Sequence, residues 1–207
     1  MSALEAVRSR QSWSKVTDEA PTREELLTLV TAAGRVADHS SLRPWRLIEM
    51  RGADREVLGA AIAKAQGDSS PSTKPLRAPL LIAVVASYRK SDKVPRWEQE
   101  AVASGVAHTL SLLLDDGGWG VIWRTGHYTR AKAVAAAHGL AKNEELLGWL
   151  YVGGKPVGKK PGRRKVVEAR KLLTRMPVAD ASAASDAPVT AEKSKKKAKK
   201  AKKAAKK

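Results

Sequence analysis

No cysteine occurs among the 207 residues, which excludes disulfides, thiolate metal sites, iron–sulfur clusters and a cysteine nucleophile. Redox chemistry on this chain would have to use a borrowed cofactor. Histidine is scarce: His39, His108, His127 and His138 are the four, with no HExxH pairing, so no zinc or iron site is expected. Phenylalanine is absent and six tryptophans take its place, most of them expected in the core. Missing as well are a phosphate loop of the GxxxxGKS/T type, a GxGxxG opening a helix and a GxSxG elbow, which disfavours a standard nucleotide-binding or hydrolase fold. No apolar run approaches the roughly 18 residues of a membrane span. Residues 1–15 lack the apolar stretch and small-residue cleavage site of a secretory signal, so a cytoplasmic protein is expected.

What is abundant is positive charge, and it is unevenly spread. The formal net charge is +18, from 39 Lys and Arg against 21 Asp and Glu. Residues 193–207 hold ten lysines in fifteen positions, a tail that repels itself, has nothing to bury and is expected to be disordered. It resembles the tails of histone-like bacterial proteins, and each lysine neutralising a phosphate would add roughly 0.9 to the salt slope of DNA binding. Nonspecific nucleic-acid binding and nucleoid association are therefore one expectation; a solubilising appendage is another, and an acidic membrane surface a third, weakened by the lack of an apolar anchor beside the lysines. Residues 178–192, rich in Ala and Ser, read as a linker. Residues 1–177 read as one domain ending near Pro177.

Within that domain, Thr22 and Glu25 form a capping-box pattern ahead of Leu26, Leu29, Val30 and Ala33, which predicts a helix. Trp45–Met50 reads as a strand closed by Gly52, and a helix starts at Asp54. Residues 66–78 read as a mobile loop. Pro79–Tyr88 is apolar on both faces and is the candidate central strand. Val102, Val106, Leu110 and Leu113 define a long buried helix over 98–114, ended by Gly117 and Gly118. A strand over 121–124, a short helix over 129–138 and a last strand over 147–152 complete the pattern. Helices and strands alternate, so the expected class is α+β, a sheet inside a helical coat.

Three short clusters combine cations and hydroxyls: Arg8-Ser9-Arg10-Gln11-Ser12, Arg35 with Asp38-His39-Ser40-Ser41, and Trp123-Arg124-Thr125-Gly126. Guanidinium forks and hydroxyls suit a phosphate monoester, whose oxygens accept several hydrogen bonds at once. Any one cluster alone would read as solvated surface arginine. Their order and intervals resemble the flavin site of the nitroreductase family, whose members open with Arg-Arg-Ser, continue through a small-residue helix to a Pro-Trp strand start, and place Trp-Arg-Ser/Thr-Gly after a Gly-rich turn. The matching pieces are Arg10-Gln11-Ser12, Ala37-Asp38-His39 through Pro44-Trp45, and Gly118 through Gly126. Lys93-Val94-Pro95-Arg96-Trp97-Glu98-Gln99-Glu100 resembles the short bacterial NAD(P)H nitroreductase branch. The resemblance covers about residues 4–154. Two departures stand out: Gln11 replaces the second arginine, and Arg43 replaces a glutamine often found before Pro-Trp.

The resemblance implies a nitroreductase-like fold in an intertwined homodimer. It also implies bound FMN, NAD(P)H as electron donor and a small electron-poor acceptor such as a nitro compound or quinone. Arg10 and Ser12 would lie at the phosphate and ribityl end with Arg124 joining them, and Gln11 between them would face either the phosphate or solvent. Arg35 and His39, read as four apart at a helix end and so on one face, would approach the flavin from the partner subunit; for His39 a capping role is the competing reading. Trp123, Arg124 and Thr125 sit where a strand stops and frees its amides, though Trp123 reads equally well as core. Leu113, Leu114, Asp115, Asp116, Gly117 and Gly118 match the part linked to the nicotinamide cofactor, against a packing role for the leucines. No catalytic side chain is expected, because the cofactor carries the reaction. The rival reading is a basic nucleic-acid-associated protein whose domain of this type is inactive or only stores FMN.

Overall fold

Thr22 starts its helix by the reciprocal bonding its sequence predicts: its Oγ1 accepts from the Glu25 amide at 3.2 Å, and its own amide donates to the Glu25 carboxylate at 2.7 Å. In the computed structural model, which describes residues 2–158 and 166–176, this helix is the second of six. Ser2 and Glu5 make the same box and open α1 (Ala3–Ser9), a helix the sequence reading left out. There follow α2 (Arg23–Ala33), β1 (Trp45–Met50), α3 (Asp54–Gln66), β2 (Leu80–Ser87), α4 (Arg96–Asp116), β3 (Trp119–Arg124), α5 (Lys132–Ala137) and β4 (Glu144–Gly154). The chain divides into two units, 1–162 and 163–207; the single turn α6 (Ala169–Leu172) belongs to the second. The boundary expected at Pro177, the linker and the lysine-rich tail lie outside the described residues. No helix among the described residues is long and apolar enough to cross a membrane.

The four strands form one antiparallel sheet in the order β1-β2-β4-β3. As its composition predicted, β2 is central and all eight of its residues are buried. Side chains alternate along it. Leu80, Ile82 and Val84 meet Leu26 of α2 and Val106, Leu110 and Leu114 of α4. Leu81, Ala83 and Val85 meet Leu58 and Ile62 of α3 and Val134 of α5 on the other face. The sheet therefore lies inside a helical coat, as expected.

Two features set up the site. The first is a bulge: the register of β4 against β2 slips between Val84 and Val85, leaving Leu147 unpaired beside Gly148, which has φ +143°. The extra residue puts Leu146 and Trp149 on the same face despite their odd spacing. The second is a glycine floor. Gly120 and Gly153 are register partners, and residues 13–17 cross directly over them. A Cβ at Gly153 would come within 2.6 Å of the Thr17 carbonyl, and one at Gly120 within 2.9 Å of Val16. Three main-chain bonds of 2.9 Å hold this strap: Trp13 N to Val121 O, Thr17 N to Gly154 O, and Gly154 N to Glu19 O.

Other boundaries moved. The long helix runs 96–116 rather than 98–114, and the last strand 144–154 rather than 147–152. The helix expected over 129–138 is a 3-10 turn (His127–Arg130) followed by α5. The expected loop 66–78 contains a 3-10 turn, Lys74–Arg77, with Pro75 buried.

Candidate functional site

Because the strap is pinned at Trp13, the residues before it lie over the outer edge of β3. Trp13 is also held by its indole, whose N–H donates to Asp115 Oδ1 at 3.2 Å, while Lys155 Nζ reaches the same carboxylate at 3.2 Å and the Asp115 carbonyl at 2.7 Å. Arg10 and Ser12 thereby come to a cavity of about 180 Å³ shared with His108 and Ser111 of α4 and with Val121, Ile122 and Trp123 of β3. None of these lining residues is acidic. Arg10, Ser12 and Trp123, distant in sequence and expected at one site, are brought together.

Arg124 does not line this cavity. Strand alternation turns it to the opposite face of β3, where its guanidinium lies 5.4 Å from the Tyr151 ring. Its Nε is buried without a hydrogen-bond partner, as is the Trp123 indole nitrogen. Burial, followed by the neighbouring Tyr128, pushes the Tyr151 phenol up to about 12, against the pull of Arg124 and Arg77. Thr125 is exposed at the strand end, and a Cβ at Gly148 would come within 2.6 Å of both the Arg124 carbonyl and the Trp123 nitrogen. The bulge glycine is thus what lets the end of β3 lie so close to β4.

Arg35 and His39 sit elsewhere, and not as expected. The helix stops at Ala33 with Gly34 as its cap, so the pair does not share a helical face; both are exposed in the segment that follows. That segment is strained: Ser40, Ser41 and Arg43 all have positive φ, at 61°, 51° and 47°, a conformation that costs non-glycine residues about 1–3 kcal/mol each. Asp38 braces it by accepting the Arg43 amide at 2.7 Å, and its second carboxylate oxygen is buried without a partner. His39 Nδ1 lies 2.9 Å from Glu98 Oε2 at the start of α4. Beside it runs an apolar groove of about 320 Å³ between Val36, Ala37, Trp97, Ala101, Val102 and Gly105, with Trp97 70% exposed.

Half of the residues matched to the nicotinamide region are engaged inside the domain. Leu114 is fully buried, Leu113 packs against the same core, and Asp115 ties down the strap. Asp116, Gly117 and Gly118 are exposed. The segment 93–100 is a staple: the Gln99 amide group bonds the Arg89 and Val94 carbonyls at 3.0 Å and the Arg89 amide at 2.7 Å, and Arg96 lies 3.8 Å over the Tyr88 ring. Gln11 is half-buried and does not line the cavity. Sequence reasoning passed over His108, although its spacing of three from Ser111 on a helix was a readable signal.

The model of the nitroreductase family matches residues 7–154. The chain belongs to the nitroreductase family. Among family relatives, an Escherichia coli K12 protein named "Putative NAD(P)H nitroreductase YdjA" is 37% identical over 161 residues, spanning 74% of this chain and 88% of that one. A Haemophilus influenzae protein, "Putative NAD(P)H nitroreductase", is 27% identical over 185 residues, 84% of this chain and 99% of its own. The fold is that of a nitroreductase-like family protein from Bacillus cereus, with a TM-score of 0.74 at 21% identity over 85% of this chain and 96% of the other. It is also that of an FMN-dependent nitroreductase from Clostridium difficile R20291, with a TM-score of 0.65 at 20% identity over 84% and 99%. Family membership makes the chain an oxidoreductase.

Proposed function

We propose that the chain is an FMN-dependent NAD(P)H oxidoreductase working as a cytoplasmic homodimer, with each flavin held where two subunits meet. Bound FMN supplies hydride acceptance from NAD(P)H and delivery of the electrons to an electron-poor acceptor such as a nitro compound or quinone. The names of the relatives support the cofactors. The observation that carries the reading is the cavity uniting Arg10, Ser12 and Trp123 with no acidic lining.

At about 180 Å³ that cavity is smaller than the roughly 300–1,000 Å³ of ordinary ligand pockets. It suits one end of a flavin nucleotide, the phosphate and ribityl chain, and leaves the ring outside it. Arg10 neutralises phosphate charge there and Ser12 donates a hydrogen bond. The strand-end amides at Trp123 and Thr125 supply further donors beside the cofactor, whereas Arg124, on the other face of β3 against Tyr151, stays outside this cavity. Arg35 and His39 serve the flavin of the partner subunit: His39 is tied to Glu98, ten residues before His108, or roughly 15 Å along α4, so the two groups stand apart within one chain. The groove around Trp97 is the apolar surface a second copy would cover. Asp116, Gly117 and Gly118 are the exposed part of the segment assigned to the nicotinamide. No protein group has to move a proton.

An absorbance spectrum of the purified protein tests this reading. A yellow protein that bleaches anaerobically on addition of NADH or NADPH is expected. A colourless protein that gains no flavin and retards DNA in a gel would instead favour the nucleic-acid reading of the lysine-rich tail.

A further inference from the structure

Gln11 stands where the family pattern has a second arginine, so the cofactor's phosphate is one cation short of the usual opening element. The cavity contains a candidate replacement that no motif supplies. His108 projects from α4 at its mouth, exposed to solvent, and its ring packs edge-on against Trp123 with centroids 5.0 Å apart and planes at 68°. That contact limits the ring to a narrow range of orientations beside Arg10 and Ser12.

The remaining lining groups have little to offer an anion. The Ser111 hydroxyl donates to the Ala107 carbonyl at 2.8 Å, leaving only lone pairs toward the cavity. The Trp123 nitrogen is buried near Gly148. Val121 and Ile122 are apolar. The donors left are the Arg10 guanidinium, the Ser12 hydroxyl and the His108 imidazole, which carries at least one N–H in either charge state. Asp115, one turn beyond Ser111, is engaged by Trp13 and Lys155.

We propose that His108 is a third phosphate-contacting residue of this cavity, supplying from α4 the donor that Gln11 does not provide and making the site select flavins that carry a phosphate monoester. The inference rests on the flavin reading above for the identity of the ligand. Its geometry does not depend on that reading.

Flavin-free protein titrated with FMN and with riboflavin tests it. His108→Phe keeps an aromatic ring against Trp123 and removes the N–H. The Kd for FMN should rise about tenfold or more, the effect of losing a hydrogen bond to a charged oxygen. The Kd for riboflavin should change less than about twofold, because riboflavin offers no phosphate to lose. His108→Gln, which restores a donor, should recover part of the loss. Wild-type protein that prefers FMN to riboflavin, with His108→Phe binding FMN equally tightly, would overturn the proposal.

A second measurement needs no flavin. Inorganic phosphate is titrated into the protein while the imidazole resonances of the four histidines are followed by NMR, that of His108 being assigned from its absence in His108→Phe. A shift of this resonance that disappears in Arg10→Ala supports the anion site even in a protein that takes up no flavin, and then only the flavin reading fails. A resonance that phosphate leaves unmoved overturns the role of His108.

Discussion

On the face packed by α3 and α5, the Trp149 indole N–H donates to His138 Nε2 at 2.9 Å, and His138 Nδ1, facing the Val134 carbonyl at 2.7 Å, passes the chain of hydrogen bonds on. On the face packed by α4, the indole nitrogen of Trp123, one strand away, is buried with no acceptor in the protein. Both rings are core-forming and both belong to the same sheet. The difference is that one polar chain is closed and the other is open, and the open one borders the cavity of Arg10, Ser12 and His108. A buried group left unsatisfied costs about 1–3 kcal/mol, so an open chain marks a place where the fold is not the sole requirement on the sequence.

The comparison breaks most completely if the strap is lifted. Gly153→Ala puts a Cβ against the Thr17 backbone, where a flexible side chain is not available to yield. It should cost about 3 kcal/mol, the upper end of overpacking, and abolish flavin retention, read as a lowered urea midpoint and a colourless protein. Removing the indole N–H at each tryptophan sharpens the contrast. Trp149→Phe strands His138 Nε2 and should destabilise by about 2 kcal/mol with FMN affinity unchanged. Trp123→Phe removes an unsatisfied donor, a relief of about 1–3 kcal/mol that offsets the packing lost with the smaller ring, so it should destabilise clearly less than Trp149→Phe. Equal losses in the two variants would erase the distinction between the faces.

A pH dependence is confined to the closed face and its margin. Burial holds the His138 imidazole below its ordinary 6.5, so the folded protein resists a proton that the unfolded chain accepts. Stability is whole above about pH 6.5 and declines below it, by at most about 1.4 kcal/mol per pH unit. Glu144 adds a second decline. The bidentate hydrogen bond from Arg46, at 2.7 Å to both oxygens, holds its carboxyl at about 2 against 4.5, and that contribution is lost as pH falls from 4.5 toward 2. Urea midpoints measured from pH 8 downward should show both steps, with His138→Leu removing the first and leaving the second.

The sequence reading reached the layers of this fold because their signals are local. Thr22 and Glu25 capped a helix in isolation, and the unbroken apolar run of β2 could serve only a central strand. It fell short where glycine had a tertiary reason. Gly153 and Gly154 made β4 look as if it ended at Val152, since glycine is depleted in strands, yet the strap crossing over them requires them. Pro75 looked like loop punctuation and is buried in a 3-10 turn. For the site, Arg10, Ser12 and Trp123 were readable from motif order. The turn of Arg124 to the other face was not, because the phase of β3 depends on which side α4 covers. His108 belongs to no motif; its spacing of three from Ser111 is a signal, but its place beside Arg10 and Ser12 is a tertiary fact.

The placement of β4 has a consequence for the order of events during synthesis. Among the described residues it is the last strand to leave the ribosome, yet it lies between β2 and β3, and the strap from the N-terminal segment bonds to its final residue, Gly154. Contacts spanning more than a hundred residues must therefore wait for nearly the whole domain to emerge. The strap behind Arg10 and Ser12 is tied down at both ends only once Gly154 has emerged.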